Sequence, residues 1–376
     1  MSYTLGIDLG TTFTSAAIAR AGRVETVGLG NHAATVPSVV FLRSDGELLV
    51  GDPAQRRGLQ EPDRLAREFK RRFGDATPIL LGNTPYSAER LMATVLRQVV
   101  DQVTERYCGP PSAVAIAHPA NWGPYKIELL HQAVQLAGLS TALFVTEPEA
   151  SAVNFAAGER VEPGEIVAVY DLGGGTFDAA VLRRTDDGFE TLGEPQGMER
   201  IGGIDFDQAV LSHVRATLGS ALDSLDQSDP AVRAAIARLR TECIAAKETL
   251  SEDSETTISV MLPGVQTQVR LTRNEFEDMI RPPVRETVAT LQRAITSAGV
   301  TPADVKAIVL AGGSSRIPLV AEMVSGELGR PVALDAHPKH TVALGAARLA
   351  EQREHLQVRP SAGDGASTTA PTSAEV

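Results

Sequence analysis

The sequence predicts an α/β protein whose two similar lobes face each other across a central cleft. Two observations carry this prediction. The peptide Ile7-Asp-Leu-Gly-Thr-Thr-Phe-Thr14 near the start returns in the second half as Tyr170-Asp-Leu-Gly-Gly-Gly-Thr-Phe-Asp178. Around both copies, short β-type runs alternate with helical patterns. Each copy reads as a buried strand that ends in an aspartate and then turns through glycine and threonine.

In the first half, periodicity and turn residues place the elements in order. Strands are predicted at residues 3–8, 14–19, 23–27, 36–42, 113–117 and 143–146, and helices at 87–107, 124–137 and 148–158. Ser87 is the expected N-cap of the first helix, and Gly138 and Gly158 end the other two. Residues 1–160 form the predicted first lobe.

The second half repeats this organisation over residues 161–337, the predicted second lobe. Strands are predicted at residues 166–171, 177–182, 189–192, 257–262, 267–271 and 307–310, and helices after the turn at 201–205 and at 230–250. Thr272 and Glu275 form a capping box for another helix, which the Pro282-Pro283 pair is expected to break or restart. A last helix at 340–353 lies in a segment, 338–353, that returns to the first lobe. Residues 354–376 are a predicted disordered, low-complexity tail.

Composition excludes several classes of protein. Hydrophobic residues make up 43% and charged residues 22% of the chain, as in ordinary soluble globular proteins. A net charge of −12 argues against nucleic acid or an anionic membrane as the main partner. The chain shows no signal peptide or membrane-length apolar run, and Cys108 and Cys243 lack metal-ligand spacing. We therefore expect a cytoplasmic monomer.

The two repeated loops are candidate phosphate-binding loops. Glycine has no Cβ, so its backbone can approach a phosphate and donate N–H groups. The residues are Gly10, Thr11, Thr12 and Phe13 in one loop and Gly173, Gly174, Gly175 and Thr176 in the other. A plain hairpin turn explains one such loop but not both, so the pair predicts a clamp on one phosphate chain.

Eight motifs in order resemble the nucleotide-binding domain of the DnaK-type heat-shock chaperones, the heat shock protein 70 family. The motifs are Ile7-Asp-Leu-Gly-Thr-Thr12, Phe69-Lys-Arg-Arg-Phe-Gly74, Val145-Thr-Glu-Pro-Glu-Ala-Ser-Ala152, the repeat ending at Asp178, Ile201-Gly-Gly-Ile-Asp-Phe-Asp207, the segment from Leu239 to Ser251, Val309-Leu-Ala-Gly-Gly-Ser-Ser-Arg-Ile-Pro-Leu-Val320 and Gly345-Ala-Ala347. The resemblance implies an actin-like ATPase fold, which is a duplicated ribonuclease-H-like fold. It implies ATP or ADP with Mg²⁺, and K⁺ as a further candidate cation. Implied partners are a co-chaperone, an exchange factor or a regulated protein.

The same resemblance implies catalytic roles. Lys70 would steady the γ-phosphate and orient the attacking water, and Glu147 would position water and the hydrated metal. Asp8 and Asp171 would hold hydrated Mg²⁺, because this ion keeps most of its water. Thr176 matches a threonine near the γ-phosphate. From the residues alone, Lys70-Arg-Arg is typical of a solvent-exposed basic run. The flanking Phe69, Phe73 and Gly74 match the family motif and favour the catalytic role of Lys70 instead.

Adenosine recognition is implied for a further set of residues, of which Lys247 and Ser251 share one helix face. Arg316 would lay its guanidinium against the base. The set is Gly202, Gly203, Lys247, Ser251, Gly312, Gly313, Ser314 and Arg316. A lysine and a serine on a helix surface are otherwise ordinary solvated residues.

Three positions depart from the family pattern. Ile244 replaces a glutamate that binds the ribose hydroxyls, Lys339 replaces an aspartate, and Ile127 replaces an arginine of the interdomain relay. The changes at Ile244 and Lys339 predict a weaker or altered grip on the nucleoside. After Gln352 neither the apolar linker nor a peptide-binding β-sandwich is recognised, so we expect no peptide clamping by this chain.

The favoured interpretation is an ATP-binding, slowly hydrolysing domain that is chaperone-related or regulatory. A non-hydrolysing nucleotide sensor or scaffold is the alternative from another class. An actin-like filament protein or a sugar kinase ranks last, because the motifs at 171–178 and 309–320 are the chaperone versions.

Overall fold

Two central sheets organise the chain, and each is built around one of the two repeated hairpins. The computed structural model describes residues 2–358 apart from 31–32, 220–224, 227 and 335–337. No helix in this described part is long and apolar enough to cross a membrane.

The strands and helices alternate along the chain much as the sequence predicts. The strands are β1 Thr4–Leu9, β2 Phe13–Arg20, β3 Arg23–Thr26, β4 Val36–Pro37, β5 Val40–Leu42, β6 Leu48–Val50, β7 Leu65–Ala66, β8 Ile79–Leu81, β9 Thr84–Tyr86, β10 Ala113–His118, β11 Leu143–Thr146, β12 Ile166–Leu172, β13 Phe177–Arg184, β14 Phe189–Met198, β15 Glu255–Leu262, β16 Val265–Thr272, β17 Val305–Ala311 and β18 Val332–Leu334. The α-helices are α1 Asp52–Gly58, α2 Ala88–Arg106, α3 Pro124–Leu136, α4 Glu147–Gly158, α5 Gly203–Leu218, α6 Pro230–Thr249, α7 Arg273–Ser297, α8 Pro318–Leu328 and α9 Thr341–Val358.

The two central sheets have the same topology, which confirms the predicted duplication. The first runs β3-β2-β1-β10-β11, with β4 joined to β2, and the second runs β14-β13-β12-β17-β18. In both sheets the strand that ends in the aspartate pairs antiparallel with the next strand and parallel with a later one. Asp8 lies opposite Ser15 in the first hairpin, and Asp171 lies opposite Asp178 in the second.

The last helix, α9, packs closely on the first sheet. A Cβ atom added at Gly6 of β1 would lie 2.2 Å from the Ala347 nitrogen of α9. A Cβ atom at Gly345 of α9 would lie 1.8 Å from the Ala150 oxygen of α4. Only glycine permits contact this close, so these two residues let α9 lie against β1 and α4.

The expected break at Pro282-Pro283 is wrong, because α7 continues through both prolines. Proline removes one N–H and destabilises a helix interior. Here Phe276 and Ile280 are buried before the pair and Val284 and Leu291 after it, so packing anchors both halves. Pro282 is exposed, which lets water reach the backbone carbonyls that lose their partner.

Three predicted boundaries also change. The predicted strand at 36–42 is two short strands, β4 and β5, and β14 runs on to Met198. Helix α9 continues past Arg353 to Val358, so residues 354–358 are helical and are no part of a disordered tail. The segment after Arg353 holds helix-favouring residues until Pro360, which explains the extension. Residues 359–376 lie outside the described part of the chain.

Candidate functional site

A cavity of about 240 Å³ lies where the two repeated loops face each other. We call residues 10–13 the first loop and residues 173–176 the second loop. Both loops line one end of the cavity together with Asp8, Lys70, Glu147 and Asp171, and the other end is lined by residues of α5, α6 and the turn after β17. We call these two parts of the cavity the loop end and the far end.

The two loops touch each other across the cleft. A Cβ atom added at Gly174 would lie 2.2 Å from Thr12 Oγ1, and one at Gly175 would lie 2.5 Å from Thr11 Cγ2. Distances this short are clashes, so the threonines of the first loop require glycines in the second. The different compositions of the two loops are thus complementary.

The second loop is held from behind by hydrogen bonds to its carbonyl oxygens. Gly203 N donates to Gly173 O at 3.1 Å and Ile204 N donates to Gly174 O at 2.8 Å, both from the start of α5. Ser314 Oγ also donates to Gly173 O at 2.8 Å. In a trans peptide the C=O and the following N–H point in opposite directions. The N–H groups of Gly174 and Gly175 therefore point away from α5.

The basic run at 70–72 sends its three side chains in different directions. Lys70 is 7% exposed and donates to Glu147 Oε1 at 2.6 Å. Arg71 reaches the second loop, where it donates to Gly175 O at 2.8 Å and pairs with Asp205. Arg72 turns outward to Asp75 at 3.2 Å. The solvated-run interpretation therefore holds only for Arg72.

Four carboxylates surround the Lys70 ammonium at the loop end. Burial and the nearby Glu147 raise the pKa of Asp8 to about 7, and burial and the same glutamate raise the pKa of Asp171 and of Asp178 well above the usual range. Burial opposes the charged form of Lys70, but Glu147, Asp8 and Asp178 outweigh it and raise its pKa. The loop end thus holds four carboxyl groups around one lysine, and its environment favours the charged form of Lys70 and the protonated form of the three aspartates.

This donor set fits a hydrated divalent cation. Asp8 and Asp171 both line the loop end, where a divalent cation would favour their charged form and offset the repulsion between the carboxylates. The described residues contain no cluster of three or more side chains that could chelate a metal directly. Mg²⁺ retains several waters and is commonly held by one or two carboxylates, so the two aspartates suit it.

At the far end, α6 presents alternating charged and apolar side chains to the cavity. Lys247 pairs with Asp207 at 2.7 Å and donates to Gly203 O at 3.2 Å. Ile244 and Glu248, four residues apart, both line the cavity. Glu248 lies 3.4 Å from Lys339, so the lysine that departs from the family pattern faces a carboxylate.

The structure brings most of the sequence-predicted residues to this one cavity. Asp8, Lys70, Glu147, Asp171, Gly203, Lys247, Ser251, Gly312, Gly313 and Ser314 line it with both loops, except for Gly175. Gly175 and Gly202 lie behind the cavity wall, where Gly202 approaches Gly175 N. Arg316 does not line the cavity and pairs with Glu252 at 2.9 Å.

Sequence reasoning missed several residues that the structure places here. Asp178 is 2% exposed and lines a second small cavity of about 10 Å³ with Lys70, Thr176 and Trp122. Its position opposite Asp171 could have been found from the strand register alone. Glu248 could have been found one helical turn after Ile244. Asp207 and Arg71 carry no local signal, because their partners lie far away in the sequence.

Comparison with known families decides the assignment. The family model described as Hsp70 protein matches residues 4–79 and 78–355 of this chain. The chain belongs to the Hsp70 family. Its fold is accordingly the actin-like ATPase fold of Hsp70 proteins, and the chain carries a chaperone-type ATP-binding domain. Hsp70 proteins are ATPases that bind ATP or ADP with Mg²⁺ and work with co-chaperones.

Proposed function

We propose that this Hsp70-family chain hydrolyses ATP slowly in the described cavity, with Mg²⁺, and acts as a chaperone-related or regulatory ATPase. One observation carries the proposal. The buried Lys70–Glu147 pair, with its 2.6 Å separation, stands at the loop end where both phosphate loops and the Asp8 and Asp171 carboxylates converge. A cavity for nucleotide binding alone has no need of a buried, charged pair at this point, because such a pair is costly to desolvate.

In this proposal the two loops hold the phosphate chain from opposite sides. The N–H group of Gly174, which points away from α5, and the hydroxyls of Thr11 and Thr12 supply donors. Thr176 adds a hydroxyl at the loop end, within reach of Lys70 and the small cavity. The phosphates are thereby positioned before the reaction, which is the main requirement for phosphoryl transfer.

Lys70 and Glu147 then act on the terminal phosphate and the attacking water. The raised pKa of Lys70 keeps its ammonium charged, so it can stabilise negative charge that develops on the transferred group. Glu147, held by Lys70, can accept a hydrogen bond from the attacking water. Mg²⁺ held by Asp8 and Asp171 would neutralise phosphate charge, and K⁺ is a further candidate cation.

The remaining assignments form part of the same proposal. Gly203, Lys247, Ser251, Gly312, Gly313 and Ser314 receive the nucleoside at the far end of the cavity, with Gly202 supporting the wall from behind and Arg316 reaching the base once it leaves Glu252. Residues 1–160 and 161–337 act as two lobes that close around the nucleotide, with residues 338–353 joined to the first. A co-chaperone, an exchange factor or another regulated protein senses that motion in the cytoplasm, and the chain works as a monomer.

Single-turnover hydrolysis of radiolabelled ATP, with Mg²⁺ and K⁺, tests the proposal. Lys70→Ala should lower the rate constant at least 100-fold, because it removes the buried ammonium that pairs with Glu147 at the loop end. Lys306→Ala is the matched control, because Lys306 binds Glu165 at the opposite end of β17. Equal turnover in Lys70→Ala and the parent would refute the catalytic assignment. Tight binding without turnover in either protein would favour the nucleotide-sensor alternative.

A further inference from the structure

Lys339 occupies the junction between the two ends of the cavity. Its Nζ atom lies 4.8 Å from the centroid of the Phe13 ring in the first loop and 3.4 Å from Glu248 Oε1 on α6. Its aliphatic chain runs past the Gly312-Gly313 turn, where a Cβ atom added at Gly313 would lie 3.4 Å from Lys339 Cε. The ammonium therefore stands between the loop that receives phosphates and the wall that receives the nucleoside.

The other lysines that line the cavity already have close partners. Lys70 lies 2.6 Å from Glu147 and Lys247 lies 2.7 Å from Asp207, and both side chains are buried or nearly so. Lys339 lies 3.4 Å from Glu248, longer than the 2.7–2.9 Å typical of a charge-assisted hydrogen bond. Lys339 is thus the cavity lysine that can turn most easily toward a ligand.

The Lys339–Glu248 pair is also open to solvent. The two side chains are 33% and 52% exposed, and exposed ion pairs contribute little to stability because water and salt screen them. Loss of this ion pair therefore lowers the free energy of unfolding only slightly. An anion that enters the cavity can replace Glu248 as the partner of Lys339 without disturbing the wall.

We propose that Lys339 binds the α-phosphate, the phosphate next to the sugar that AMP, ADP and ATP share. The inference rests on the proposed nucleotide binding. A nucleotide whose terminal phosphates lie at the loop end and whose base lies at the far end must place its ribose 5′-phosphate at the junction. The α-phosphate is the charged part of that unit, and a lysine ammonium binds phosphate as a point charge.

Displacement of a fluorescent ADP analogue by ATP, ADP, AMP and adenosine tests this role in the presence of Mg²⁺. Lys339→Met should weaken AMP, ADP and ATP by a similar factor of about ten and leave adenosine unchanged, because a charge-assisted hydrogen bond to the α-phosphate is lost. Glu248→Gln should strengthen all three nucleotides two- to threefold, because it frees the ammonium. Lys306→Met is the matched control and should change none of the affinities.

Each other result overturns the inference. An equal loss of affinity for adenosine would place Lys339 against the nucleoside. An unchanged affinity for AMP with a weakened affinity for ATP would place Lys339 at the terminal phosphates. No change for any ligand would leave Lys339 outside the binding site. If the parent protein bound none of the four ligands, the proposed nucleotide binding itself would be wrong. If the parent bound them and Lys339→Met changed no affinity, only the role of Lys339 would be wrong.

Discussion

The two repeated hairpins have the same backbone arrangement but contribute different side chains to the site. Each ends a buried strand in an aspartate and turns through four residues, and each strand then returns antiparallel. The first loop supplies bulk and hydroxyls through Thr11 and Thr12, whereas the second supplies space through Gly174 and Gly175. Two identical loops could not face each other this closely, because four threonines would clash and four glycines would leave a gap.

The hairpins also differ in charge at the residue opposite each aspartate. Ser15 lies opposite Asp8, and Asp178 lies opposite Asp171. Ser15 and Asp178 are both almost fully buried. Ser15 Oγ and Asp178 Oδ1 have no hydrogen-bond partner among the described residues. The buried atom without a hydrogen-bond partner is thus a neutral hydroxyl oxygen in the first hairpin and a carboxyl oxygen in the second. The second hairpin therefore carries one more ionisable side chain at this position than the first.

The largest expected effect comes from placing a carboxylate opposite the aspartate of the first hairpin, as in the second. Ser15→Asp would place a second carboxylate directly opposite Asp8, buried and without a counter-charge. We expect the free energy of unfolding at pH 7.5 to fall by about 3 kcal/mol, as for an uncompensated buried charge. Urea denaturation measures it, and Ser15→Ala should change stability by less than about 1 kcal/mol. A fully stable Ser15→Asp would show that the two hairpin ends tolerate charge equally.

The steric complementarity of the loops predicts a smaller effect. Gly174→Ala should destabilise the protein by about 2 kcal/mol, because the new methyl group overlaps Thr12. Removing the obstacle with Thr12→Gly in the same chain should restore a large part of that loss. Gly109→Ala is the control, because no atom lies within 4 Å of its added Cβ. Thermal denaturation of the parent, the Gly174→Ala and Thr12→Gly single variants, the double variant and the control measures these losses, and additive losses in the double variant would contradict direct contact.

The smallest expected effect is the pH dependence that Asp178 adds to the second hairpin, since its counterpart Ser15 does not titrate. Burial and Glu147 raise the pKa of Asp178 in the folded protein, so the folded state keeps a proton that the unfolded chain releases near pH 4. Stability supplied by that proton is present at low pH and lost as pH rises. Asp178→Asn removes this dependence. Its stability relative to the parent should therefore improve by up to about 1.4 kcal/mol as the pH rises from 5 to 6.

Denaturation curves of Asp178→Asn and the parent at several pH values measure this change. Ser15→Ala, the neutral counterpart in the first hairpin, should differ from the parent by a constant amount over the same range. A constant difference for Asp178→Asn too would mean that Asp178 titrates like an exposed aspartate, and the charge contrast between the hairpins would then disappear.

Some parts of the site were predictable because they depend on neighbours in the sequence. The strand-aspartate-loop repeat sets the hairpins, since hydrophobic runs and glycine-rich turns act over a few residues. Capping by Ser87 and by the Thr272 and Glu275 box was predicted for the same reason and is confirmed. The Pro282-Pro283 break was wrong because packing on both sides of the prolines outweighs the local penalty.

By itself, the sequence determined the duplicated hairpins, the order of strands and helices, and the residue types that can hold phosphates and a metal. The tertiary structure alone decided which charges meet. Lys70 turns inward to Glu147, Arg71 crosses to the second loop, and Lys339 faces Glu248. Each of these pairs joins residues 77 or more positions apart. Local patterns act over one turn of helix or one hairpin, whereas these electrostatic contacts exist only once distant parts of the chain have packed together.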